Sequence, residues 1–303
     1  MVPLSAAAAS LDRPSHTLNG ANRILRSAIP LVALASLGLF LARAPLTWAV
    51  ALLVGTIGGL LLLIRPVIGL YVLAVAIPFG SVRTLSAGAV SLSLAQPVLA
   101  LALAAMVAQM LAQRRFTTFR SSVILATAAL VGALALSLLQ AGDLPAAGTE
   151  LLKWVEFALL LAFVAITVGQ QQSRWLVAAL LLAGLAEGLL GIYQFLRQVG
   201  PPGFMLFGRY MRAYGTFAQP NPYGGYLGML LPLACAVLLT RWRRRDPMHL
   251  QSLWADRLLW LLGLASFATM FAGLIMSWSR GALLGALAGL ALVLLALARR
   301  TWP

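Results

Sequence analysis

Residues 258–278 read LLWLLGLASFATMFAGLIMSW, residues 279–281 read SRG, and residues 282–298 read ALLGALAGLALVLLALA. The two apolar runs carry no charge, and a single arginine stands between them. A helix crosses the hydrocarbon core of a bilayer in roughly 20 residues. Each run therefore predicts a membrane-crossing helix, and Ser279-Arg280-Gly281 predicts the tight connection between them. Working outward, eight more apolar segments follow the same logic: residues 28–42, 46–64, 66–79, 92–111, 123–139, 154–168, 175–195 and 222–240. The third is short and bounded by Pro66 and Pro78, so it is expected to be tilted, broken or re-entrant, which a membrane tolerates only inside a bundle.

Composition agrees with the pattern. The chain has 303 residues, 61% of them hydrophobic and 10% charged. Soluble globular chains average about 45–50% apolar and about 25% charged residues. Too little polar surface exists to clothe such a core, which excludes an ordinary cytosolic enzyme, and the apolar content excludes intrinsic disorder. The expected fold class is all-α: a polytopic transmembrane helix bundle of about ten spans with no soluble domain. The expected organisation is a cytoplasmic tail over residues 1–27, a first group of transmembrane helices over residues 28–90, and a larger transmembrane region over residues 91–303.

Net charge is +15, from 22 Lys and Arg against 7 Asp and Glu. In a soluble protein that excess would suggest nucleic acid. Here the cations sit between apolar runs and report orientation. With the N-terminus inside, fifteen basic residues fall on the inner side and seven on the outer: Arg43, Arg83, Lys153, Arg197, Arg209, Arg212 and Arg280. Both termini are thus expected in the cytoplasm. The basic run Arg241-Trp242-Arg243-Arg244-Arg245, in an inner loop over residues 241–257, serves as a topological anchor touching lipid headgroups. Ala42-Arg43-Ala44 loosely resembles a leader cleavage site, but the polar lead is long for a signal peptide. Trp154, Trp175 and Trp278 fall at span ends, where interfacial anchors belong.

The outer cations run against the charge bias. Arg209 and Arg212 precede the eighth span, within Gly208-Arg209-Tyr210-Met211-Arg212-Ala213-Tyr214-Gly215-Thr216-Phe217. Arg280 lies between the ninth and tenth. A guanidinium stays charged and offers a planar fork that suits phosphate; the alternative is an interfacial side chain that reaches for water. After Arg212 comes Gln219-Pro220-Asn221-Pro222, a shaped turn with its asparagine amide available. On the seventh span Gly184, Glu187, Gly188, Gly191 and Gln194 share one helical face. An acid at mid-span should face the bundle and find a partner, in a structural bond or a mechanistic one. Gly281, Gly285 and Gly289 recur every four residues, as do Gly224 and Gly228, a spacing that lets helices approach closely in lipid. Glu150, Lys153 and Glu156 are spaced for mutual pairing at the start of the sixth span. Cys235 is alone, and His16 and His249 give no metal-ligand spacing, so neither metal nor cofactor is expected.

These residues carry a family likeness. The run from Arg212 to Leu227, RAYGTFAQPNPYGGYL, resembles the R-x-x-G-T-F-x-x-x-N stretch of the O-antigen ligase / O-antigen polymerase superfamily. Gly191-Ile192-Tyr193-Gln194 is similar to that family's G-x-Y-Q helix end. Ser279-Arg280-Gly281 before a Gly-spaced helix is similar to its S-R-G element, and residues 152–157 and the order of spans are also similar. The likeness covers roughly residues 92–300. It implies a membrane glycosyltransferase that takes a glycan from undecaprenyl diphosphate at the outer face of a bacterial inner membrane, without metal or cofactor. It implies that Arg212 and Arg280 hold the diphosphate as catalytic groups. Arg209, Asn221, Tyr214, Gln194 and Glu187 are the expected substrate-binding set. The family's acceptor-side loop, with its histidine, lies beyond the S-R-G helix. It has no counterpart before Pro303, and His16 and His249 are expected on the opposite side. The chain is therefore expected to supply the donor half of a site, with a second chain as a possible partner beside membrane lipids. A permease or flippase for lipid-linked sugar is the alternative function, and a membrane scaffold without ligand is the third.

Overall fold

The computed structural model describes residues 45–80, 84–87, 90–93, 95–112, 121–241 and 250–299, together with Gly38 and Arg43. The chain divides into two compact units, residues 1–58 and 59–303, and everything beyond the first helix lies in the second. The helices are α1 (Leu46–Ile64), α2 (Val67–Phe79), α3 (Ala95–Ala112), α4 (Ser122–Ser137), α5 (Leu144–Thr167), α6 (Gln170–Arg197), α7 (Pro220–Arg241), α8 (Leu250–Ser277) and α9 (Arg280–Arg299). Two short antiparallel pairs interrupt them: β1 (Thr84–Ala87) with β2 (Val90–Ser93), and β3 (Met205–Leu206) with β4 (Tyr210–Met211).

The described chain is thus an all-helical membrane protein with two small hairpins. Six of its helical segments are long and apolar enough to cross a bilayer: Ala95–Ala112, Ser122–Gln140, Gln170–Arg197, Pro220–Leu239, Trp254–Ser277 and Arg280–Ala298. Leu52–Ile64 and Val67–Phe79 are shorter apolar helices. The expected first span, residues 28–42, lies outside the described residues apart from Gly38, and the six spans found among the described residues do not confirm the expected ten. The expected sixth span starts ten residues early, at Leu144, because Asp143 caps the helix by accepting from the Ala146 N–H at 3.1 Å. Glu150, Lys153 and Glu156 therefore sit inside a helix rather than at its start. Only Glu150 and Lys153 pair; Glu156 accepts instead from Gln96 Nε2 at 3.2 Å. Of the expected inner loop over residues 241–257, residues 250–257 are helical. Residues 242–249, with His249, lie outside the described set, as does His16.

Two clusters hold the second unit together. Leu70, Leu73, Leu99, Ala102 and Phe163 join α2, α3 and α5. Leu181, Tyr223, Leu227, Leu231, Met270, Leu274 and Ala286 join α6, α7, α8 and α9. In lipid, helices associate through close packing and interhelical hydrogen bonds rather than water exclusion. Both are present: Ser266 Oγ on α8 donates to the Leu181 carbonyl of α6 at 2.9 Å. At Gly188 the two helices touch backbone to backbone, so that a methyl carbon added there would lie 2.7 Å from the Thr269 carbonyl carbon.

The glycine stripe on α9 packs differently from its expected pattern. Gly224 and Gly228 of α7 meet Ser279, Ala282 and Ala286, and Gly289 meets Pro232, while Gly281 and Gly285 face open space. The face that approaches α7 is offset by one residue from the expected stripe, and alanine is small enough for it. Gly281→Ala and Gly285→Ala should therefore raise stability by about 0.5–1 kcal/mol each through helix propensity. Gly188→Ala should lower it, because the Thr269 backbone cannot retreat. Melting of the purified protein in detergent orders the three variants.

Candidate functional site

The site lies where α6 and α8 end and α7 and α9 begin. Its scaffold starts on α6, whose buried residues Leu181, Gly184, Glu187, Gly188, Gly191 and Gln194 fall on one face at spacings of three and four. The face expected from the sequence is therefore the one that packs. Small residues there let the segment Ala213–Thr216 lie close against the helix. Gln194 then binds that segment as a template would: Oε1 accepts from the N–H groups of Tyr214 at 3.1 Å and Gly215 at 2.8 Å, and Nε2 donates to the Gly215 carbonyl at 2.7 Å. Gly215 has φ +57°, and a Cβ there would collide with the Glu187 carboxyl and the Tyr223 ring.

Glu187 is fully buried, and its bonds go to one residue. Thr216 N–H reaches Oε2 at 3.0 Å, and Thr216 Oγ1 lies 2.6 Å from Oε1. The same hydroxyl lies 2.5 Å from the Pro78 carbonyl, which ties α2 to the segment. Pro78 lies in the last turn of α2, where carbonyls have no partner within the helix, so its carbonyl is free for such a bond. Tyr223 Oη closes the set by donating to the Glu187 backbone carbonyl at 3.1 Å. Glu187 and Gln194 were both expected in the substrate-binding set. Their side-chain bonds run to the backbone and side chain of 214–216.

Arg212 opens that segment. Its Nε donates to the Ser277 carbonyl at 2.8 Å, and one Nη2 N–H donates to Asn221 Oδ1 at 2.9 Å. The neighbouring Ala213 N–H donates to the Met276 carbonyl at 3.0 Å. Two turns separated by more than 60 residues are thereby joined, the one that holds Arg212 and the one that leads to Arg280. A guanidinium has five N–H donors, so three remain for a ligand. Arg280, the first residue of α9, is exposed and has no ion-pair or hydrogen-bond partner among the described residues. The first N–H groups of α9 add to its positive end.

The remaining expected residues divide. Asn221 is exposed at the start of α7, which begins at Pro220 rather than Pro222. Because Pro220 and Pro222 lack N–H groups, that helix start offers few backbone donors, and the Asn221 side chain is its main polar feature. Tyr214 is half-buried, its ring 5.2 Å from that of Phe204. Arg209 is exposed and lies over the Tyr210 ring at 5.3 Å, apart from the Arg212 bonds.

All five residues with positive φ among the described chain gather here: Gln198, Phe207, Gly208, Gly215 and Trp278. Phe207 and Gly208 form a turn closed by Arg209 N–H on the Leu206 carbonyl at 3.0 Å, and Trp278 forms the turn between α8 and α9. Non-glycine residues with positive φ are uncommon and cluster where surroundings over-determine the backbone. Sequence reasoning missed Gln198, which ends α6 in the left-handed region. Its side-chain amide donates to the Phe195 carbonyl and accepts from Met211 N–H, the latter at 2.8 Å. It also missed the Met276 and Ser277 carbonyls, which no side-chain pattern announces.

No protein-family model, curated protein or solved structure matches the chain. The likeness to the O-antigen ligase superfamily therefore rests on the motifs quoted above.

Proposed function

We propose that this protein is an O-antigen ligase-like glycosyltransferase of the bacterial inner membrane. It binds a polyprenyl-diphosphate-linked glycan at the outer face, with both termini in the cytoplasm. The observation that supports this best is the Arg212 anchor. Its guanidinium is held by the Ser277 carbonyl and Asn221 beside the start of α9, and it keeps three N–H donors free next to the turn that presents Arg280. Negative charge grows on a diphosphate as its bond to a sugar breaks, and fixed cations aimed at that charge favour the transition state over the bound substrate. Arg212 and Arg280 are the catalytic groups on this reading, with Asn221 and Tyr214 beside them. Gln194 and Glu187 hold the segment. These residues serve the donor; the base that takes the acceptor's proton is not among them.

The test is binding of undecaprenyl diphosphate to the purified protein. Arg280 makes no side-chain bond among the described residues, so Arg280→Ala should leave melting unchanged and weaken binding about tenfold or more, the loss of one charge-assisted contact. Arg209→Ala should change affinity less than threefold. Unchanged affinity in Arg280→Ala would remove the reading. Movement of the lipid-linked glycan across vesicles, without transfer, would favour the carrier function instead.

A further inference from the structure

At the opposite end of the bundle from the Arg212 site, the first turns of α6 and the start of α8 line a common cavity. α6 is 28 residues long, about 42 Å at helical rise, so this region belongs to the other membrane face. The two helices run parallel: Ser266 meets Leu181, and Thr269 meets Gly188. Before those contacts a cavity of about 810 Å³ lies between them, bridged by the ion pair of Arg174 with Asp256. Its mouth is polar, with Gln170, Gln171 and Arg174; its inner wall is apolar, with Ala178, Leu259 and Leu262. Arg174 spends one contact on Asp256 at 3.3 Å and stays half exposed. Trp175 and Trp254, 61% and 69% exposed, flank the opening, and Arg257 lies over the Trp254 ring at 5.3 Å.

We infer that this wedge is a binding site for one anionic phospholipid of the adjacent leaflet. The chemistry of the walls is that of an amphiphile: a cation and amide donors for a phosphate outside, aliphatic carbon for an acyl chain inside. Pockets for small ligands have volumes of about 300–1,000 Å³. Exposed tryptophans mark headgroup depth; Arg174 and Asp256 line the wedge as a pair, and Arg257 beside Asp256 leaves one net positive charge for an anionic headgroup to complement. A lipid seated there fills the gap between α6 and α8, the two helices that carry the Glu187 and Ser277 ends of the other site.

The experiment is native mass spectrometry of the full chain in detergent, with palmitoyl-oleoyl phosphatidylglycerol or phosphatidylcholine added at equal concentration. Phosphatidylglycerol should be retained in preference, and 10 mM inorganic phosphate, on the order of a high physiological level, should not displace it. Arg174→Gln should lower phosphatidylglycerol retention about fivefold, as expected for one arginine near a lipid surface. Leu262→Trp, which fills the wedge, should lower retention of both lipids, and circular dichroism melting checks that both variants fold. Neither variant should alter undecaprenyl diphosphate binding at the far end. Equal retention of the two lipids, displacement by phosphate, or retention unaffected in both folded variants would overturn the inference without touching the proposed function.

Discussion

Arg212→Ala is expected to weaken binding of undecaprenyl diphosphate about 100-fold, the largest functional effect of any single change. Each charge-assisted hydrogen bond to an ion contributes about 1.5–3 kcal/mol, and the free side of Arg212 can offer two to a diphosphate. The side chain also bonds the Ser277 carbonyl and Asn221, so its loss releases the turn that leads to Arg280. Arg212→Lys separates the two effects. An ammonium keeps the charge but cannot span the carbonyl, the amide and a phosphate in one plane, so about a tenfold loss is expected. Binding should weaken with salt in the native protein, because Arg280 is exposed, and should do so less once either arginine is gone. Affinity of Arg212→Ala within twofold of the parent would dismiss the diphosphate site, whatever its melting temperature.

Glu187→Ala is expected to cost about 3 kcal/mol of stability, from the loss of the carboxylate that accepts from the Thr216 N–H and a cavity where the carboxyl was. Glu187→Gln should melt close to the parent. Its amide oxygen still accepts from the Thr216 N–H, and its NH₂ can donate to the Thr216 hydroxyl, which then donates to the Pro78 carbonyl. That exchange preserves every bond drawn at Glu187. The two variants also distinguish positioning from chemistry. If Glu187 only holds the segment, Glu187→Gln keeps undecaprenyl diphosphate binding while Glu187→Ala loses it in step with stability. A stable Glu187→Gln protein that has lost binding would instead give the carboxyl a direct part.

The helices were legible because lipid leaves the backbone few choices. A run such as residues 258–278 must satisfy its N–H and C=O groups internally, and a helix does so within one segment. The packing face of α6 was legible for the same reason, since an acid and three glycines at helical spacing have one place to go. The hairpins at residues 84–93 and 205–211 were not foreseen. The second is closed by a local turn, where only Gly208 hints at the positive φ that Phe207 shares. The start of α5 was misplaced because a hydropathy reading stops at the first polar residues, whereas the Asp143 cap extends the helix through them.

By itself the sequence determined that this chain lives in a bilayer, where most of its helices run, and that Arg212 and Arg280 stand in connections at the ends of apolar helices. Tertiary structure alone decided how they are held. The Arg212 side chain is anchored on a carbonyl at Ser277, and the segment beneath it is clasped by Gln194 and Glu187. Backbone carbonyls are identical at every position, so their use as anchors leaves no trace in residue identity. Only the approach of α6, α7 and α8 through their small residues brings donor and acceptor within reach.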